Sequence, residues 1–167
     1  KEEAQEINRK YYGKLRPFAE EYGVKIAVEN MWYWDAEHVI HPTCCSSAED
    51  MKAYVDMMGR DCFTTCLDIG HGILTGYRPE DMIASLGDYL EVLHIHDNDG
   101  IHDSHLAPRM GVIDWPAVCL ALKKIQYKGN FNFEADSFYG IYGPRLYEDT
   151  TRFLCRIGQD FVDQYDL

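Results

Sequence analysis

The chain has 167 residues, 28 acidic against 16 basic side chains, and a formal charge of -12. That length allows one domain with a real core. The acidic balance argues against a nucleic-acid backbone as partner, which needs clustered Lys and Arg, and no apolar run approaches a membrane span.

Residues 4–22 read as a helix, with Ile7, Tyr11, Leu15, Phe18 and Tyr22 at helical spacing. Pro17 interrupts it, by a kink or a split, and Gly23 is a stop signal. The opening Lys1–Glu6 looks like the first turns of a helix without an initiator Met, so the chain is expected to be a piece of something longer. Residues 24–29 form the first expected strand, followed by a loop rich in aromatics: Met31, Trp32, Tyr33 and Trp34. Ser47 can cap a helix over 48–58. The second strand spans 62–69, and a long loop then leads to a short helix over 79–86. The third strand spans 90–96. On it Val92, His94 and His96 should share one face, because strand side chains alternate. A loop with His102, Asp103 and His105 follows, and Asp114 is the N-cap of a helix over 115–125. A fourth strand over 130–135 and a helix over 147–165 complete the pattern.

Strands alternating with helices imply a parallel sheet with right-handed crossovers, in a single domain over 1–167. The six cysteines (Cys44, Cys45, Cys62, Cys66, Cys119 and Cys155) contain no CxxC pair. They read as core thiols in a reducing compartment, so the expected location is cytoplasmic.

Each strand carries a chemically capable residue at or near its end. These are Glu29 in AVEN, Asp68 in LDIGHG, His94 in HIHDND and Glu134 in FNFEAD. In a parallel barrel or sheet these ends lie on one face, so the four side chains converge. Converging carboxylates repel unless a cation sits among them. Three carboxylates and one imidazole suit one divalent metal: Mn²⁺, Mg²⁺, Co²⁺ or Zn²⁺.

The motifs AVEN, LDIGHG, HIHDND, HDSHLAPRMGVIDW and FEAD closely resemble the sugar-phosphate isomerase/epimerase group. That group shares its fold with xylose isomerase and the apurinic endonucleases. The resemblance implies a (β/α)₈ TIM barrel with a divalent metal held by Glu29, Asp68, His94 and Glu134. Only four strands are present, so the match is to the C-terminal half of the barrel. The open sheet edges then call for an N-terminal half-barrel or for self-association. By the same resemblance His71 contacts a substrate oxygen or, in the endonucleases, a second metal, and His105 matches the histidine of an H-x-x-P-G-x-G loop. Arg109 stands where that loop has Gly; it either binds an anionic group of the substrate or lies on the surface.

The implied chemistry is isomerisation or epimerisation of a sugar or sugar phosphate. A metal stabilises the enediolate, and Glu29 and Glu134 act as the catalytic acid/base pair. Trp32 and its neighbours either wall the sugar or pack under the helix layer or at a subunit contact. His96, Asp97 and Asp103 can orient a ligand from behind. A zinc-dependent phosphoesterase of the apurinic endonuclease type is a second reading, since Asp103-Ser104-His105 supplies the D-x-H of such enzymes. A half-barrel that binds a metabolite without catalysis is a third.

Overall fold

The computed structural model describes residues 2–167; Lys1, in the expected opening helix turn, lies outside them. Four parallel strands form the central sheet, and their spatial order follows the chain. They are β1 (Ile26–Glu29), β4 (Phe63–Asp68), β5 (Leu90–Ile95) and β6 (Phe131–Phe133). All six residues of β4 are buried, as expected of an inner parallel strand covered on both faces. The helices between strands run α3 (Ala48–Met58), α5 (Pro79–Leu86), α6 (Trp115–Lys124) and α8 (Tyr147–Tyr165). Each packs on the next around the outside. Leu67, Ile69, Leu93 and Ile95 from the sheet region share one core with Met51, Ile83, Leu122 and Phe161. Burial of such side chains supplies about 1.5–3 kcal/mol each. This is the expected half of a TIM-type barrel.

Local signals set the helix ends. Ser47 accepts a hydrogen bond from the Asp50 N–H and starts α3; Asp114 does the same for α6 through Ala117. The opening helix is split rather than kinked. α1 (Glu2–Tyr12) passes through a turn at Gly13–Leu15 into α2 (Arg16–Tyr22), whose first turn holds Pro17. Gly23 ends α2 in the left-handed region, at φ 62°.

Three elements were not expected. Residues after Glu29 form an antiparallel hairpin, β2 (Trp32–Trp34) with β3 (Ile40–Pro42), instead of a plain loop. A short helix α4 (Ile69–Leu74) follows β4 directly, and α7 (Asp136–Tyr142) follows β6. A further difference concerns His96. β5 ends at Ile95, so the alternation that would have put His96 on the His94 face no longer applies.

Both outer strands, β1 and β6, keep one free edge among the described residues. The apolar stripe of α1 and α2 is exposed, from Ile7 at 48% to Tyr22 at 69%. Near the other end of the sheet sequence, Ile141 and Phe153 are also exposed.

Candidate metal centre

Glu29 closes β1, Asp68 closes β4, His94 is the last residue but one of β5, and Glu134 comes just after β6. The Glu134 N–H still donates to Ile95 O at 3.0 Å, which extends the ladder far enough to bring its side chain in. The parallel register delivers all four residues to one place. One ligand-capable atom from each lies within 4.8 Å of the others. His94 Nδ1 sits between the outer acids, 3.2 Å from Glu29 Oε1 and 2.9 Å from Glu134 Oε2. Cys66 and Glu29 outweigh burial and push the His94 imidazole up to about 11.

Asp68 is fully buried. Its Oδ1 accepts from the His71 N–H at 2.7 Å and so caps α4. Asn30 fixes the strand end beneath it: its Oδ1 accepts from the Asp68 N–H at 2.7 Å, and its Nδ2 donates to Asp68 O at 3.0 Å. Asn30 is therefore the clamp between β1 and β4. Sequence reasoning passed over it, although it is the last letter of AVEN.

A second cluster adjoins the first. His71, His96, Asp103 and His105 also bring ligand-capable atoms within 4.8 Å of one another. Each imidazole is tied through Nδ1 to a backbone carbonyl: His71 to Asn30 O at 2.9 Å, His96 to Asp97 O at 3.3 Å, and His105 to Glu134 O at 2.6 Å. The Nε2 atoms then face Asp103, at 3.2 Å from His71, 3.4 Å from His105 and 3.7 Å from His96. Pinning one ring nitrogen while freeing the other is how metal-ligating histidines are oriented. Burial favours the neutral ring of His71, but Asp103 and Asp68 outweigh it and raise its pKa to about 9. The clusters meet where His96 Nε2 approaches Asp68 Oδ1 at 3.0 Å. The expected supporting roles of His96 and Asp103 and the expected substrate roles of His71 and His105 thus fall on residues that form one group.

Among the described residues, five buried side-chain atoms lack a hydrogen-bond partner: Asp68 Oδ2, Glu134 Oε2, His96 Nε2, Asp103 Oδ1 and Trp32 Nε1. Four of them belong to the two clusters. Unmet buried lone pairs on a carboxylate–imidazole set fit a divalent cation.

Other expected residues are placed as follows. The Trp32 ring meets His71 edge-on, with centroids 6.2 Å apart. Asp97 is buried; its carbonyl meets His96 Nδ1 and its carboxylate organises the loop that carries Asp103 and His105. Arg109 is not brought to the acids. Its guanidinium pairs with Asp160 at 2.8 Å and lies over Phe161, both on α8. Its backbone takes φ 75°, the conformation a glycine there would adopt freely.

The sequence matches the family model described as xylose isomerase-like TIM barrel over residues 1–157. The chain belongs to this family. Uncharacterized protein y4fM of Sinorhizobium fredii is 33% identical over 117 residues, covering 68% of this chain and 34% of that protein. A solved D-tagatose 3-epimerase-like protein superimposes with a TM-score of 0.73 at 23% identity, covering 97% of this chain and 55% of that one. The IOLI protein, solved with a bound zinc atom, gives 0.72 at 24% identity, covering 98% and 58%. At these identities the two structures establish the fold alone. The chain spans about a third of y4fM and just over half of each barrel. Among the described residues, no helix is long and apolar enough to cross a membrane.

Proposed function

We propose that this chain carries the metal-holding half of a divalent-metal-dependent sugar isomerase or epimerase. One observation carries the reading: four adjacent parallel strands end in Glu29, Asp68, His94 and Glu134, with one ligand-capable atom from each within 4.8 Å of the others. The epimerase-like neighbour and the zinc in the IOLI protein support it.

Glu29, Asp68, His94 and Glu134 would hold one Mn²⁺, Mg²⁺, Co²⁺ or Zn²⁺. When bound, such an ion acts as a Lewis acid that stabilises negative charge on the sugar's carbonyl and adjacent hydroxyl oxygens. The chain's own residues supply the proton traffic. Asp68 is sealed from solvent, whereas the Glu134 side chain is 43% and that of Glu29 27% exposed. Glu29 and Glu134 are therefore the pair able to meet a substrate carbon, one taking the proton and the other returning it. Glu29 closes one outer strand and Glu134 directly follows the other, so they approach from opposite sides. His71, 3.6 Å from Glu29, sits where it can hold the substrate oxygen. Trp32 walls the same side. His105 lies one layer further out, against Asp136 at 3.2 Å.

The test is direct. Calorimetry with Mn²⁺ should give about one ion per chain at the first cluster. Glu134→Gln should keep the circular dichroism spectrum but abolish deuterium uptake into a ketose in heavy water. A chain that takes up no divalent ion would overturn the reading and leave the non-catalytic binder. The free edges of β1 and β6 are to be covered by a second four-stranded half, supplied upstream or by another copy. Turnover by the uncovered chain should be low.

The second cluster favours one competing reading. Three pinned imidazoles around Asp103 are equipped for an additional zinc, as a phosphoesterase of the apurinic endonuclease type would need. The charge of -12 weighs against a DNA substrate. Three zinc ions per chain together with cleavage of abasic DNA would establish it.

A further inference from the structure

The β2–β3 hairpin leaves the sheet directly after Glu29, and its side chains alternate between two faces. Tyr33 takes one face and stacks on His41 at 5.4 Å. Trp32 and Trp34 take the other, the face turned toward His71. Trp34 meets Trp32 at 4.8 Å with the rings 58° apart, and His38 touches the Trp34 ring edge-on at 6.3 Å. Trp34 is 55% exposed. A continuous line of rings thus runs from His71, beside the metal-capable residues, out to solvent. At its inner end the Trp32 Nε1–H is buried without an acceptor.

Lysine and arginine are scarce around the same mouth. The four loops that follow the strand ends hold three arginines and no lysine. Residues 30–47, which include the whole hairpin, hold neither. Arg109 is paired with Asp160, and Arg78 with Glu80 and Asp81. A phosphate is bound by charge-assisted N–H donors, and two of the three arginines are already engaged with acids. A pyranose ring needs something else: an apolar plate for its C–H face and hydrogen-bond groups at the rim. The hairpin provides both, with the Trp34 indole as the plate and the His38 imidazole, edge-on to it, at the rim.

We propose that the hairpin is an outer subsite for a second, uncharged sugar ring, so that the substrate is a ketose bearing a glycosyl group rather than a sugar phosphate. The proposal rests on the metal-site reading for the inner ring. Trp34 is the plate for the outer ring, and Trp32 marks the junction between the two.

Saturation-transfer NMR on the full chain with added Mn²⁺ tests it, using turanose, palatinose and lactulose as probes beside D-fructose and D-fructose 6-phosphate. At least one disaccharide should receive transfer on both rings and should bind about tenfold more tightly than D-fructose. Trp34→Ala should cut transfer to the glycosyl ring at least threefold and leave D-fructose binding unchanged, while Trp34→Phe should restore it. Trp34 is largely exposed, so an unchanged melting curve is expected for both variants.

The proposal is overturned if no disaccharide shows glycosyl-ring transfer, if Trp34→Ala weakens both rings equally, or if D-fructose 6-phosphate outcompetes D-fructose. It is also overturned if Trp34→Ala changes only self-association, which would make the face a contact between copies. Dependence of the ketose-ring signal on Mn²⁺ is scored separately. Its absence counts against the metal-site reading, whereas transfer to the glycosyl ring reports on the hairpin.

Discussion

Asp97 offers the sharpest test of how the loop between β5 and α6 is held. Its carboxylate is fully buried and has no partner cation among the described residues; four N–H groups surround it instead. Oδ1 accepts from Asn98 N at 2.9 Å and Ile113 N at 3.3 Å. Oδ2 accepts from Arg109 N at 3.0 Å and from Trp115 Nε1 at 2.8 Å. Asp97→Asn preserves the shape but turns one oxygen into an NH₂. Whichever way the amide is turned, two buried N–H groups then face a donor. Each orphaned donor costs about 1–3 kcal/mol, so the change should remove about 2–6 kcal/mol. Domain stabilities are about 5–15 kcal/mol, so this is a large share. Urea unfolding should show the loss as a lower midpoint with little change in slope. Thermal melting should fall by at least about 4 °C, at about 2–4 °C per kcal/mol for a chain of this size. Trp115→Phe removes one of the donors, so it should cost less in the Asp97→Asn background than alone when the amide faces that side. A loss below about 1 kcal/mol for Asp97→Asn would refute the four-donor account.

Three further outcomes are expected. A Cβ added at Gly70 would stand 2.0 Å from His96 Cε1, so Gly70→Ala should displace that imidazole, cost about 1–3 kcal/mol, and shift the His96 ring signals in NMR spectra. Ser47→Ala should cost about 0.5–2 kcal/mol in chemical unfolding by removing the cap of α3. Arg16 holds the Asp61 carboxyl down at about 2. Its stabilising contribution is therefore complete above the unfolded value of about 3.9 and is lost as pH falls through about 2. Asp61→Asn should flatten the acid-unfolding curve in that window, and added salt should weaken the effect because the pair is exposed.

The central sheet was legible because buried parallel strands announce themselves: FTTCLD and LEVLHI are apolar-rich runs of the right length, each ending in a polar turn. The acids and the imidazole at the strand ends could be named for the same reason, since parallel strands present their C-terminal ends together. What escaped was short or local. The strands of the hairpin have three residues each, too few to show a period. α4 contains Gly70 and Gly72, which are poor helix formers, and is stabilised by the Asp68 cap instead. The grouping of His96 with His71, Asp103 and His105 was hidden by a strand that stops one residue early. Arg109 could have faced either way from its sequence alone, and its ion pair with α8 decides the matter.

The free edges of β1 and β6 run in the same direction, which restricts what can dock on them. A mate joining β6 to its own first strand makes a contact between unlike surfaces, and that contact repeats wherever another copy is added. If each arc bends through a whole fraction of a circle, the copies seal into a closed ring, two of them for a half-circle; with any other bend, the same bonding grows into a fibre. Curvature of the sheet, rather than the chemistry of its rims, then separates a discrete assembly from an unbounded one.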